Sequence, residues 1–95
     1  MNKKIKWGII GLGNSAKKFT QDLARAQNSA LHSVASRDRE KAKQFCQDNN
    51  DVTFYDSYKE LAQNSGSDIV YITTPHAFHF EHTMMCLKEG KSVLC

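Results

Sequence analysis

Apolar and polar positions alternate in short blocks along this chain, and each block ends in a recognisable stop. The first runs through Ile5, Trp7, Ile9 and Ile10 and breaks at Gly11-Leu12-Gly13. A strand followed by a tight turn fits that pattern. Ser15 to Gln27 then reads as a helix, with Ala16, Phe19, Leu23 and Ala26 on one stripe. Asn14 and Ser15 bring helix-start chemistry to its first turn. Leu31 to Ala35 predicts a second strand. Asp38 is a good N-cap for a second helix, Arg39 to Gln47, which buries Ala42, Phe45 and Cys46.

The polar stretch Asp48 to Asp51 is a break, and Val52 to Tyr55 is a brief third strand. Ser57 and Glu60 have the spacing of a capping box, with Leu61 completing a short helix. A turn over Asn64 to Ser67 leads through Asp68 to Ile69-Val70-Tyr71-Ile72. Such a continuous apolar run is typical of a parallel strand buried on both faces. Pro75 stops it. Phe78 to Lys88 predicts a helix, with Gly90 at the cap position. Ser92 to Leu94 starts a fifth strand, the outer one, beside Ile69 to Ile72. Strands alternating with helices, without hairpin signals, predict an α/β fold with a doubly wound parallel sheet, ending after the fifth strand.

The glycine turn carries the first chemistry. G-x-G-x-x-A between a strand and a helix is the opening of a dinucleotide-binding, Rossmann-like domain. Gly11 permits the tight turn. Gly13 lets the backbone approach a pyrophosphate, and Ala16 keeps the helix close to the strand. The helix N-terminus offers free N–H groups and a positive dipole end to phosphate. The candidate cofactor residues here are Gly11, Leu12, Gly13, Asn14 and Ser15.

The second strand exits into Ser36-Arg37-Asp38. A binder of NAD usually places a carboxylate at this tip for the ribose hydroxyls. A hydroxyl beside a guanidinium instead suits the 2′-phosphate of NADP. Lys41, one helical turn on, adds charge. Asp38 fits better as a helix cap than as a ribose ligand, so NADP is the expected cofactor and NAD the alternative. The fourth strand ends in Thr73-Thr74-Pro75, placed to line the nicotinamide-ribose side of a switch point between strands one and four. His79, in the first turn of the next helix, is expected to face the cofactor pocket. His76 is expected before that helix and His82 on its surface.

Composition narrows the partners. The chain has 95 residues and a formal net charge of +3. The one dense basic cluster, Lys3, Lys4 and Lys6, reads as a solubilising N-terminus, and no aromatic-basic interleaving suggests a nucleic-acid platform. No apolar run reaches membrane-spanning length. Three cysteines, Cys46, Cys86 and Cys95, show no C-x-x-C spacing. With no signal-peptide pattern, free thiols in a reducing cytoplasm are expected. Of the four histidines, His76, His79 and His82 have helical spacing but no matched ligands, so no metal site is expected.

Four motifs together resemble the glucose-fructose oxidoreductase / inositol dehydrogenase family, and within it the NADP-dependent dihydrodiol and xylose dehydrogenase branch. They are W-G-I-I-G-L-G at Trp7 to Gly13, A-S-R-D at Ala35 to Asp38, T-T-P-H-A-F-H at Thr73 to His79 and L-K-E-G-K-S-V-L-C at Leu87 to Cys95. The resemblance spans essentially the whole chain. It implies NADP bound across the glycine turn, Ser36-Arg37 and the Thr-Thr-Pro segment. It also implies a hydride exchange between nicotinamide and a sugar, polyol or diol. Many relatives carry asparagine where this chain has His76, so no role transfers to that position.

In the family, the strand ending in V-L-C runs into a Glu-Lys-Pro segment whose lysine is a candidate acid/base, and an α/β substrate domain follows. Residues 1–95 are therefore expected to be one dinucleotide-binding domain, a fragment without turnover of its own. The exposed strand around Val93 and Leu94 is expected to promote self-association. A non-catalytic nucleotide-binding or sensor module is the alternative function.

Overall fold

A computed structural model describes residues 4–48, 52–64 and 66–95. Lys3, the Asn49 to Asp51 part of the polar break and Ser65 of the predicted turn lie outside the described residues. The chain alternates strictly: β1 (Ile5–Ile10), α1 (Asn14–Arg25), β2 (Ser29–Ala35), α2 (Arg39–Asp48), β3 (Thr53–Tyr55), α3 (Tyr58–Asn64), β4 (Ile69–Ile72), a 3₁₀ turn (His76–Phe78), α4 (His79–Lys88) and β5 (Ser92–Leu94). All pairings are parallel, and the strand order is β3-β2-β1-β4-β5. The predicted doubly wound sheet is the one observed. Its order reverses between β1 and β4, where ligands lodge in such sheets.

Alternation along β1 divides the core. Ile9 and Ile10 are both fully buried, on opposite faces. Ile9 packs with Ala16 and Val34, backed by Phe19 of α1 and Phe45 and Cys46 of α2. Ile10 packs with Ala35, Val70 and Ile72, with Leu61 and Ala62 of α3, and with Cys86 of α4. Two layers of helix thus cover the central strands. The outer strand β5 is less covered, with Val93 half-buried and Leu94 exposed.

The elements deviate from expectation mostly at their ends. Helix α1 stops at Arg25 rather than Gln27, because Ala26 is already extended and donates its N–H to Leu23 O. The early stop frees Asn28 to accept the Ile5 N–H at 2.7 Å and lets β2 begin at Ser29, opposite Ile5. Strand β2 also carries an irregularity. Trp7 pairs with Leu31 but Gly8 with Ser33, so His32 is an extra residue in the ladder. Strand β3 is one residue shorter than predicted, because Val52 precedes the ladder.

Three predicted caps are present. The Lys41 N–H donates to Asp38 Oδ1 at 3.2 Å, and the Glu60 N–H to Ser57 Oγ at 3.1 Å. Gly90, at φ 79°, closes α4 by donating to Leu87 O. The fourth helical segment splits: His76–Phe78 is a 3₁₀ turn, and α4 starts at His79.

Candidate functional site

Gly11 is in the left-handed region at φ 88°. Its missing side chain is a requirement of contact as well as of conformation. A Cβ there would stand 2.9 Å from Thr73 Oγ1 and 3.1 Å from both the Thr74 backbone nitrogen and its Cγ2. The turn after β1 therefore interlocks with the end of β4. Thr73 secures the lock: its N–H donates to Ile10 O, and its hydroxyl lies 2.8 Å from Gly11 O and 3.2 Å from Ile10 O. On the other side, the Gly11 N–H donates to Ala35 O at 2.8 Å.

Gly13 differs. Its φ of −82° is ordinary, and an added Cβ would meet nothing nearer than Thr73 O at 4.0 Å. The space beside Gly13 is open, as a backbone that receives a ligand requires. Gly13 is also the residue that caps α1, with no side-chain cap bond. The expectation of side-chain capping chemistry at Asn14 and Ser15 is thus corrected. Helix α1 begins at Asn14 itself, and its N-cap, Gly13, has no side chain with which to cap the first N–H groups. Ser15 is exposed and Leu12 half-buried, while the side chain of Asn14 lies outside what the structure describes.

At the β2 exit Ser36 is buried, and its Oγ accepts the Asp38 N–H at 3.1 Å. Arg37 and Lys41 are exposed. A cavity of about 340 Å³ opens between the carboxyl ends of β2, β3 and β4. Ser36 and Arg37 line it from β2, Asp56, Ser57 and Tyr58 from the β3 exit, and Thr74, Pro75, Phe78, Glu81 and His82 from beyond β4. The structure therefore brings Ser36, Arg37, Thr74 and Pro75 together around the cavity, while Lys41 and His79 lie outside its lining.

His82 corrects another expectation. It is half-buried rather than on the surface. Its Nδ1 and Thr74 Oγ1 share a hydrogen bond of 2.8 Å. Tyr58 meets the ring edge-on at 4.9 Å, and Phe78 stacks on it at 5.9 Å. Burial holds the His82 pKa below the ordinary histidine value; Glu81 opposes this and His79 adds to it. His79 Nε2 lies 2.7 Å from Thr74 O. A carbonyl can only accept, so Nε2 carries the proton. Two histidines thus hold Thr74, one at its carbonyl and one at its hydroxyl.

The β3 exit meets the same end of the sheet as the others, without a motif in the sequence that marks it for chemistry. Its Asp56-Ser57-Tyr58 carries no glycine signature, and only the rule that ligands collect at carboxyl ends singles it out. Among the described residues the cysteines are free. Burial pushes the Cys86 thiol up to about 11, against the pull of Lys91, and raises Cys46 as well. Both shifts are away from the thiolate, the nucleophilic form. Cys95 is exposed, 3.4 Å from Thr83 Oγ1. No group of metal-binding side chains occurs among the described residues, and no described helix is long and apolar enough to cross a membrane.

Residues 5–95 match the profile of the GFO/IDH/MocA oxidoreductase family, NAD-binding Rossmann fold. The chain belongs to that family. Trans-1,2-dihydrobenzene-1,2-diol dehydrogenase of Xenopus tropicalis is 38% identical over 92 residues, which cover 95% of this chain and 28% of that protein. D-xylose 1-dehydrogenase (NADP(+)) of Hypocrea jecorina is 37% identical over 103 residues, covering 96% and 26%. Among solved structures, scyllo-inositol dehydrogenase from Lactobacillus casei with bound NAD(H) and scyllo-inositol superimposes with a TM-score of 0.88 at 26% identity. That match covers 96% of this chain and 27% of the other. The family relation agrees with the resemblance read from the four motifs. This family member spans just over a quarter of the length of these relatives.

Proposed function

We propose that this chain is the NADP(H)-binding part of an oxidoreductase that exchanges a hydride between nicotinamide and a sugar, polyol or diol. The observation that carries the cofactor reading is the β2 exit. Ser36 and Arg37 line the cavity there, and the nearest carboxylate in sequence, Asp38, is engaged as the cap of α2. An Asp38 occupied by the Lys41 N–H is a poorer ribose ligand, and Arg37 is suited to a dianionic phosphate. The NADP(+) named for the Hypocrea relative supports the same choice, while the NAD(H) of the Lactobacillus structure marks the alternative within the family.

The residues present fit the cofactor. The open space at Gly13 and the uncapped start of α1 suit a pyrophosphate, with Gly11, Leu12, Asn14 and Ser15 forming the turn around it. Ser36 and Arg37 would hold the 2′-phosphate, whereas Lys41 is exposed and outside the lining of that cavity. Thr73, Thr74 and Pro75 would line the nicotinamide-ribose side, fixed by the lock on Gly11 and by His79. When bound, the cofactor supplies or accepts the hydride. This chain binds and orients it, and the proton-transfer group and substrate contacts come from elsewhere in the intact enzyme. By itself the chain gives no turnover. Three free thiols favour a reducing compartment, the cytoplasm.

Titration of the protein with NADP⁺ and NAD⁺, before and after Arg37→Asp, tests the reading. Losing a charge-assisted contact and gaining a repulsive carboxylate changes the discrimination by about 1.5–3 kcal/mol or more. Equal affinity for both cofactors in both proteins would refute it.

A further inference from the structure

A second cavity, of about 360 Å³, lies behind Ser36 and Arg37, between the start of α2 and the end of β3. Arg39 and Asp56 line it with them, over a floor that includes Ala42 and Phe54. Lys41, the cation that spacing alone suggests, is not in this lining. Its backbone N–H is spent on Asp38. Arg39, two residues after Arg37, comes into the cavity instead.

The charges in this cavity do not balance. Two arginines, Arg37 and Arg39, line it against a single carboxylate, Asp56. Arg39 Nε lies 3.6 Å from Asp56 Oδ1, and both side chains are more than half exposed, at 66% and 58%. An ion pair so exposed is weak, because water competes for both partners. Arg39 can therefore exchange Asp56 for a better anion at little cost. A phosphate monoester presents three oxygens and up to two charges, which matches two guanidinium forks and the Ser36 hydroxyl.

We propose that Arg39 is the second cation that recognises a 2′-phosphate at this site, and that Asp56 is the carboxylate it must leave. The inference rests on the NADP reading above and deepens it. Arg37 is shared by both cavities, and so faces the base side and the phosphate side. Arg39 lines the phosphate side, so it discriminates between cofactors without serving the part they have in common. Asp56 lines both cavities and acts in the opposite sense, lowering affinity for the extra phosphate.

The test is calorimetric titration of the full chain with two probes, adenosine 2′,5′-bisphosphate and 5′-AMP. Arg39→Ala is expected to weaken the bisphosphate about tenfold and AMP less than about twofold, since one charge-assisted contact is lost to the first probe alone. Lys41→Ala should change either by less than about twofold, as for a solvated surface charge. Asp56→Asn should tighten the bisphosphate and leave AMP unchanged, a gain that a damaged fold does not produce. Arg39→Lys should restore only part of the affinity, because the planar fork is lost. Equal loss of both probes in Arg39→Ala, or a bisphosphate loss in Lys41→Ala that exceeds the one in Arg39→Ala, would overturn the assignment. The unaltered protein separates the two levels of the argument. If it does not prefer the bisphosphate, the NADP reading itself fails. If it does, and Arg37→Ala abolishes the preference while Arg39→Ala does not, only the role of Arg39 fails.

Discussion

The two glycines of the turn after β1 should fail in opposite ways when substituted. Gly11→Ala places a side chain at φ 88°, 2.9 Å from Thr73 Oγ1 and 3.1 Å from the Thr74 backbone. The left-handed conformation costs a non-glycine residue about 1–3 kcal/mol. The overlap adds to this, because Thr73 Oγ1 is tied to Gly11 O and Ile10 O and the Thr74 nitrogen is backbone. Moving Thr73 forfeits a hydrogen bond worth about 0.5–1.5 kcal/mol. The sum is about 1.5–4.5 kcal/mol, against a total stability of about 5–15 kcal/mol for a small domain. The melting temperature should fall by about 10 °C or more. Gly13→Val has no such contact and an ordinary φ. It should cost under about 1 kcal/mol, a weaker N-cap being offset by a less flexible unfolded chain. Yet it fills the space that a pyrophosphate needs and should abolish NADP⁺ binding. Thermal melts by circular dichroism, followed by calorimetric titration, read both outcomes. A Gly11→Ala protein that melts with the wild type, or a folded Gly13→Val protein that binds NADP⁺ normally, would refute the reasoning.

Two further outcomes follow from burial and exposure. His32 and His82 both have pKa values held below the ordinary one, first by burial; Lys6 and Lys91 add to the effect at His32, where Asp68 opposes it. Each binds protons less readily folded than unfolded, so its contribution is complete above about pH 6.5 and is lost as the pH falls through the folded values. Denaturant melts should show stability dropping from neutral pH towards pH 5, and substituting both histidines by Gln should flatten that drop; an unchanged slope would contradict it. The outer strand β5, with Leu94 45% exposed, should pair with other chains. Sedimentation should show mass rising with concentration and Leu94→Lys reducing it, whereas a stable monomer at high concentration would count against the idea.

Much of the fold was legible because it follows from local rules. The run at Ile69 to Ile72, buried on alternate residues at least, had to be a central strand, and Gly11 had to be a turn. Asp38, Ser57 and Gly90 announced helix ends that the structure contains. What was not legible depended on tertiary contact. Helix α1 stops early because β1 needs a partner from Ile5 onward. His82 reads as a surface residue from helical spacing. It is drawn inward by Thr74, by the ring of Tyr58, which is distant in sequence, and by Phe78 of the 3₁₀ turn ahead of α4. Lys41 and Arg39 are equally basic on paper, and only the placement of α2 against β3 brings Arg39 into the cavity behind Arg37. The site was therefore readable where backbone chemistry makes it, at the glycine turn, and less so where side chains from separate elements converge.

The central claim is that NADP(H) lies across the carboxyl ends of β1, β2 and β4. It is tested most directly by mapping amide chemical shifts of the isotopically labelled chain during titration with NADP⁺. Saturable shifts are expected at Gly11 to Ser15, at Ser36 and Arg37, and at Thr73 to Thr74, with NAD⁺ producing the first and third sets at higher concentration and a weaker second. Shifts confined to other surfaces, or none at saturating NADP⁺ in a folded protein, would contradict it.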